Sequence, residues 1–178
     1  MSTLDAGTLV LHGRGLGGGV AEAEALVSRE AISGWGGVEP REGRVIESRH
    51  ELVGQSFAGK VLVFKGAKGS SGWSGMFHMS RLMGSAPAAM VFTTMNTKIA
   101  LGVVVTHVPA ITDLDGDPFQ LIRTGDWVRV DADRGLVTIT RRGGHVAETA
   151  RHRGPARDSV VHSDVAAQGR ALAEELDP

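Results

Sequence analysis

Glycine cuts this chain into short apolar runs, and that restricts its fold more than any other feature. The 178 residues include 25 glycines, about twice the usual share. Apolar runs this short do not build a helical bundle; they read as many short strands. Thr8-Leu9-Val10-Leu11 is the first of them. Val61-Leu62-Val63-Phe64, Ala89-Met90-Val91-Phe92 and Gly102-Val103-Val104-Val105 are continuously apolar, which predicts strands buried on both faces. Trp127-Val128-Arg129-Val130-Asp131 and Leu136-Val137-Thr138-Ile139-Thr140 flank Asp133-Arg134-Gly135 and predict a hairpin. One helix is predicted after residue 72, with Ser74 as its cap and Met76, Phe77, Met79, Leu82 and Met83 as its apolar face. Gly84-Ser85-Ala86-Pro87 ends it. Strand, helix and strand from 61 to 92 then form a crossover unit in a β-rich α/β setting. Ala21 to Val27 suits a helix by propensity and a strand by length. Beyond residue 140 the character changes. Residues 141–178 hold six Arg, no Lys, six acidic residues and three of the seven His. The reading is a folded domain over 1–140 and a polar C-terminal extension over 141–178, with a weak helix around 164–176.

Composition excludes several classes of function. Nineteen basic against twenty acidic residues leave a net charge of −1, so no electrostatic footprint for nucleic acid is expected. The chain has no cysteine, which removes disulfides, a thiol nucleophile, and any zinc or iron–sulfur cluster held by thiolates of this chain alone. The histidines show no metal-ligand spacing, and no metal ligand is assigned. Asp113, Asp115 and Asp117 alternate, but the twelfth position of a calcium loop would be Thr124, not Glu. No run of 18 apolar residues occurs, which argues against a membrane span. Met1-Ser2-Thr3-Leu4-Asp5 lacks a secretory pattern, so the expected compartment is the cytoplasm.

Three stretches are candidates for chemistry. Gly13-Arg14-Gly15-Leu16-Gly17-Gly18 reads as a dinucleotide loop only if a crossover helix follows it; otherwise it is a flexible turn. Ser33-Gly34-Trp35-Gly36-Gly37-Val38-Glu39-Pro40 permits close backbone approach by a ligand, or is a turn anchored by a buried tryptophan. The stretch from Val61 to Gly75 runs from a buried strand through Lys68-Gly69-Ser70-Ser71 into a helix. Free N–H groups at a helix start favour an anion, although a polar connector would look the same. It is not a GxxxxGK[ST] phosphate loop.

In order and approximate spacing these motifs resemble the small subunit, or swivel domain, of the aconitase X family. The resemblance rests on Ser33-x-Trp35-Gly36-Gly37-Val38-Glu39-Pro40-x-x-Gly43-x-Val45-Ile46, Gly54-x-x-x-x-Gly59-Lys60-Val61-Leu62-Val63 and Gly69-Ser70-Ser71-x-x-Ser74-Gly75. It continues through Ala86-Pro87-Ala88-Ala89, Leu101-Gly102-x-Val104-Val105 and Thr124-Gly125-Asp126-x-Val128-x-Val130-Asp131, and covers roughly 8–140. The family usually has Asp at the place of Glu39 and often Arg at that of Lys68. The resemblance implies a swivelling β/β/α domain like the mobile domain of aconitase. It implies a dehydratase whose iron–sulfur cluster is held by the cysteines of an aconitase X large subunit, the partner of this chain. Ser70 is then the proton acceptor, with Lys68, Gly69, Ser71, Gly36 and Gly37 around the substrate. Elimination needs a base beside a carboxylate and a Lewis acid for the departing hydroxide. A serine serves as base only where its alkoxide is stabilised, by Lys68 and by loop N–H groups. Composition leans toward cis-3-hydroxy-L-proline as the hydroxy acid; mevalonate 5-phosphate is the alternative, and a non-catalytic binding module the third reading. Pro87 to Ile139 also resembles the phosphohistidine domain of phosphoenolpyruvate-utilising enzymes, but Asn96-Thr97-Lys98 stands where that domain carries its histidine.

Overall fold

The computed structural model describes residues 7–141. Apart from Arg141, the C-terminal extension and its helix at 164–176 lie outside the described residues. Twelve strands and three helices follow one another among them. The strands are β1 (Thr8–His12), β2 (Arg14–Leu16), β3 (Val20–Val27), β4 (Ala31–Ser33), β5 (Val38–Glu39), β6 (Arg44–Val45), β7 (Val61–Phe64), β8 (Gly66–Lys68), β9 (Ala89–Phe92), β10 (Ala110–Thr112), β11 (Trp127–Asp131) and β12 (Leu136–Thr140). The helices are α1 (Gly72–Leu82), α2 (Thr97–Thr106) and the four-residue α3 (Pro118–Leu121).

Eight strands make one sheet in the order β1-β12-β11-β3-β7-β9-β10-β2. Its two edge strands, β1 and β2, are separated in the chain by Gly13 alone, so the sheet must curl until its edges meet. Strands β3, β7, β9 and β10 are mutually parallel, while β11, β12 and β1 run antiparallel. The pairs β4–β8 and β5–β6 stand apart as two small sheets.

The period of two divides the apolar strands between two cores. Val61, Val63, Ala89 and Val91 join Val128, Val130, Val137 and Ile139 on one side of the sheet. Leu62, Phe64, Met90 and Phe92 face the other way, toward Trp73, Phe77 and Ile99 of α1 and α2. Burial on both faces, expected for β7 and β9, is therefore found. The hairpin is found in the expected register, from Trp127↔Thr140 to Asp131↔Leu136. Ala21 to Val27 is strand, not helix. Gly13 to Gly18 is no dinucleotide loop: Arg14–Leu16 is strand β2, and a turn at Gly17, Gly18 and Gly19, all with positive φ, leads straight into strand β3 rather than a helix.

Two expectations are corrected. Gly102 to Val105 is helix α2, not a strand. Asn96 Oδ1 accepts from the Ile99 N–H at 3.1 Å and caps it. Ile99, Gly102, Val103 and Thr106 are its buried residues, spaced i, i+3, i+4, i+7. An all-apolar run hides that period from the sequence. The apolar face expected for α1 is also wrong, since Met79, Leu82 and Met83 are exposed. The buried face is Trp73, Ser74, Phe77 and Ser80. It is decided by stacking: Trp73 lies 4.1 Å from the Phe77 ring, and Phe57 lies 5.2 Å from it on a further side. No helix among the described residues is long and apolar enough to cross a membrane.

Candidate active site at the start of helix α1

Strand β8 ends at Lys68, and three residues later the chain is helical. Gly69 makes the turn possible with φ +83, a conformation that side chains resist. Ser70 and Ser71 then sit exposed at the helix entrance. Among the described residues Ser70 Oγ has a single hydrogen-bonding neighbour, the Gly72 N–H at 3.4 Å. The Trp73 N–H reaches Ser70 O, also at 3.4 Å. Ser71 occupies the N-cap position, yet its side chain makes no capping bond. Ser74, expected as the cap, lies inside the first turn, buried, and its hydroxyl donates to Ser71 O at 3.4 Å. No side chain caps this first turn, and its Gly72 and Trp73 N–H groups meet Ser70 at 3.4 Å, so Ser70 is the residue that the helix start addresses.

The loop is held from below. Trp73 is fully buried and its indole N–H donates to Ile32 O at 3.0 Å, tying α1 to β4. The turn after β4 packs directly on that tryptophan, and a Cβ at Gly34 would collide with the Trp73 backbone. Gly37 is equally constrained, pressed against Ser33, while Gly36 is exposed with φ +74. Trp35 is 77% exposed, so the buried tryptophan expected of this turn is Trp73 instead. Its Cβ stands near Gly72, 3.7 Å from where a Cβ there would be. The structure thus brings the 33–37 turn and the 68–72 loop together, as the sequence reading required.

Lys68 does not stand free beside Ser70. Its ammonium lies 2.6 Å from Glu47 Oε1. Burial opposes ionisation of Glu47, but the Lys68 ammonium and the hydroxyl and N–H of Ser33 outweigh it and hold the carboxyl below its ordinary value. Glu47 Oε2 is buried without a full hydrogen bond. The positive charge near Ser70 is therefore largely neutralised, and the helix N–H groups carry more of any stabilisation of an oxyanion than sequence reasoning assigned them.

Residues 10–139 match the family model described as aconitase X swivel domain. The chain belongs to the aconitase X swivel family. It is 39% identical over 133 residues to the phosphomevalonate dehydratase small subunit of Thermococcus kodakarensis, covering 75% of this chain and 98% of that one. The protein of the same name from Methanosarcina mazei is 37% identical over 131 residues, covering 74% and 91%. The crystal structure of Thermococcus kodakaraensis aconitase X in its holo-form superposes with a TM-score of 0.70 at 38% identity, covering 75% of this chain and 99% of that one. The expected swivel fold is borne out. The lean toward a hydroxyproline substrate finds no support, because these relatives are named for phosphomevalonate.

Two residues of this candidate site escaped sequence reasoning. Ser33 opened a recognised motif without being given a role. Glu47 follows Ile46, where that motif stopped, and is one of twenty acidic residues with no spacing signal to mark it. Asn96, at the place of a phosphohistidine, is occupied as the α2 cap and by donating from Nδ2 to Ala67 O at 2.8 Å. The iron–sulfur cluster implied by the family does not fit the donors present. The chain has no cysteine, and the one carboxylate at the site is paired with Lys68. Among the described residues no three His, Asp or Glu side chains gather as a metal site.

Proposed function

We propose that this chain is the small subunit of an aconitase X-type dehydratase acting on mevalonate 5-phosphate, with Ser70 as proton acceptor. The observation that carries the reading is an exposed, weakly partnered serine at the mouth of α1, in a chain whose relatives are named phosphomevalonate dehydratase small subunits. In the elimination, the C–H bond beside the substrate carboxylate breaks and its proton passes to the Ser70 Oγ alkoxide, giving the hydroxyl. The C–H electron pair becomes the new double bond as hydroxide leaves the neighbouring carbon, and the Ser70 hydroxyl then gives its proton to that hydroxide, releasing water and restoring the alkoxide. The Gly72 N–H, already directed at Ser70 Oγ, stabilises the Ser70 oxyanion with the helix dipole behind it. Lys68, held by Glu47, keeps the loop against the 33–37 turn.

The rest of the active site belongs to a large subunit, which in this reading also holds the iron–sulfur cluster. Several large apolar side chains stand exposed at the loop and along α1 and α2. Trp35 is 77% exposed, Leu82 72% and Val104 63%, and a partner surface over α1 and α2 would take them out of water. Co-expression with a cysteine-bearing large subunit tests both points. The complex is expected to dehydrate mevalonate 5-phosphate, measured by NMR of the product, and the isolated chain is not. Dehydration by this chain alone refutes the two-subunit reading; a complex that dehydrates only cis-3-hydroxy-L-proline refutes the substrate.

A further inference from the structure

Strands β4 and β8 are the roots of both site loops. They pair in parallel with Ser33 opposite Lys68, and each of these residues is the last of its strand. The turn through Gly36 and Gly37 leaves from Ser33, and the loop carrying Ser70 leaves from Lys68. Glu47 arrives at this point from a third segment. Val45 of β6 is fully buried, and the Ile46 N–H donates to Gly37 O at 2.8 Å. The backbone leading into Glu47 is thereby fixed to the 33–37 turn. From there Glu47 Oε1 reaches the Lys68 ammonium at 2.6 Å, and the carboxylate also faces the hydroxyl and N–H of Ser33. One side chain therefore spans the two strand ends from which both loops spring.

Folding stability does not account for this arrangement. The Lys68 side chain is 42% exposed and that of Glu47 25%, and ion pairs open to water contribute little to folding. Ser33 has other supports, since β4 is paired with β8 and Ile32 O accepts the Trp73 indole N–H. Glu47 Oε2 is buried without a full hydrogen bond, which leaves the Lys68 contact as the strong one. What the pair sets is position and charge at the loop. Lys68 lies two residues before Ser70, at most about 7 Å of backbone. An unpaired ammonium at that range favours the Ser70 alkoxide, and an unpaired carboxylate disfavours it. An alkoxide made too stable is a weaker base. Among the described residues Lys68 is the charged group that acts on the Glu47 carboxyl, so each is the other's counterion. The other charged groups around Lys68 are Arg29, Glu30 and Lys65, which line the same cavity. Of these, Glu30 Oε2 is turned to the Glu51 N–H at 2.7 Å.

We propose that Glu47 is a positioning residue for the Ser70 base: through Lys68 and Ser33 it fixes the gap between the two site loops, and it cancels the ammonium charge that would otherwise weaken that base. This deepens the dehydratase reading and rests on it. The test compares Glu47→Gln, Lys68→Met and the double variant in the complex with the large subunit, acting on mevalonate 5-phosphate over a range of pH. Glu47→Gln is expected to lower the plateau kcat about tenfold, with KM changed less than about threefold. The rising limb of kcat/KM, where the alkoxide forms, is expected at lower pH in Glu47→Gln and at higher pH in Lys68→Met. The double variant is expected to return that limb to its original place while kcat stays low. A merely structural contact leaves the limb unmoved in both single variants, and that result overturns the proposal. Glu47→Asp keeps the charge and is expected to keep the limb; a limb displaced as far as in Glu47→Gln overturns it too. If the complex dehydrates no hydroxy acid at all, the dehydratase reading fails, and amide hydrogen exchange of the full chain still decides the clasp. Exchange over residues 69–73 about tenfold faster in Glu47→Gln and in Lys68→Met, with β7 and β9 unchanged, supports it; unchanged exchange over 69–73 overturns it. Lys68→Met, which keeps the apolar stem, carries the test where Glu47→Gln melts early.

Discussion

Replacing Ser70 with alanine separates catalysis from folding, and the structure sets the size of both effects. Ser70 is exposed, and its hydroxyl has one neighbour at 3.4 Å, near the outer limit of a hydrogen bond. Removing it should cost less than about 0.5 kcal/mol of stability, or no more than about 2 °C in Tm for a chain of this size. Loss of a positioned base typically costs about 10²–10⁴ in rate, which is about 3–5 kcal/mol of transition-state stabilisation. The activation effect should therefore exceed the stability effect roughly tenfold. The two neighbouring serines are controls with different structural roles. Ser71→Ala should raise KM several-fold with kcat nearly unchanged, since Ser71 is exposed at the helix mouth without a cap bond. Ser74→Ala removes a buried 3.4 Å bond to Ser71 O, and alanine's better helix propensity offsets part of the loss. A net cost below about 1 kcal/mol is expected there, less than a true N-cap would show. All three should be assayed as the reconstituted complex by product NMR, with melting followed by circular dichroism. A Ser70→Ala complex with near-normal kcat refutes the assignment of the base. A Ser70→Ala chain that melts many degrees lower refutes the claim that the loop is structurally independent.

Gly102→Ala should destabilise, because a methyl there would overlap the ring of Trp73, which is fully buried and stacked on Phe77. Overpacking of about 1–3 kcal/mol, less about 1 kcal/mol regained in helix propensity, predicts a Tm lower by a few degrees in a thermal melt. Glu51 lies below its ordinary value of 4.5, chiefly because the Ser28 hydroxyl donates to it, with the Arg29 N–H adding to this and burial opposing. Glu47 is lowered as well. Both contribute stability that is present above the unfolded value and lost as pH falls through the lower folded values, so urea midpoints should drop on acidification below about pH 4.5, and less steeply in Glu51→Gln. Truncation after Arg141 should leave cooperative melting and Tm within about 2 °C of the full chain, because 7–141 carries two extensive buried clusters; a broad, early transition would show that the extension belongs to the domain.

What could be read ahead of the structure followed from period and from glycine. The continuous runs Val61–Phe64 and Ala89–Phe92 met two cores, and the hairpin 127–140 kept its register, because alternation of side chains is local geometry that a sequence displays directly. Ser70 was singled out by the resemblance to the family, and the strand–loop–helix around it was legible in the residues; the positive φ of Gly69 that presents it at the helix mouth came from the structure. Other features depended on neighbours far along the chain. Val103 could belong to a strand or to a helix until Asn96 capped α2 and Trp73 demanded a glycine at position 102. The buried side of α1 was settled by stacking of Phe57, Phe77 and Trp73, not by the methionines that fit a helical stripe on paper. Glu47 acquired its place only when the chain returned to lay it beside Lys68. The sequence by itself determined β1, β7, β9, the β11–β12 hairpin and the family, since each is written in residues close together. Tertiary structure alone decided which apolar faces are buried, that Lys68 is neutralised, and that Ser33, Glu47 and Lys68 meet, because those depend on contacts between segments far apart in the chain that only the folded domain creates.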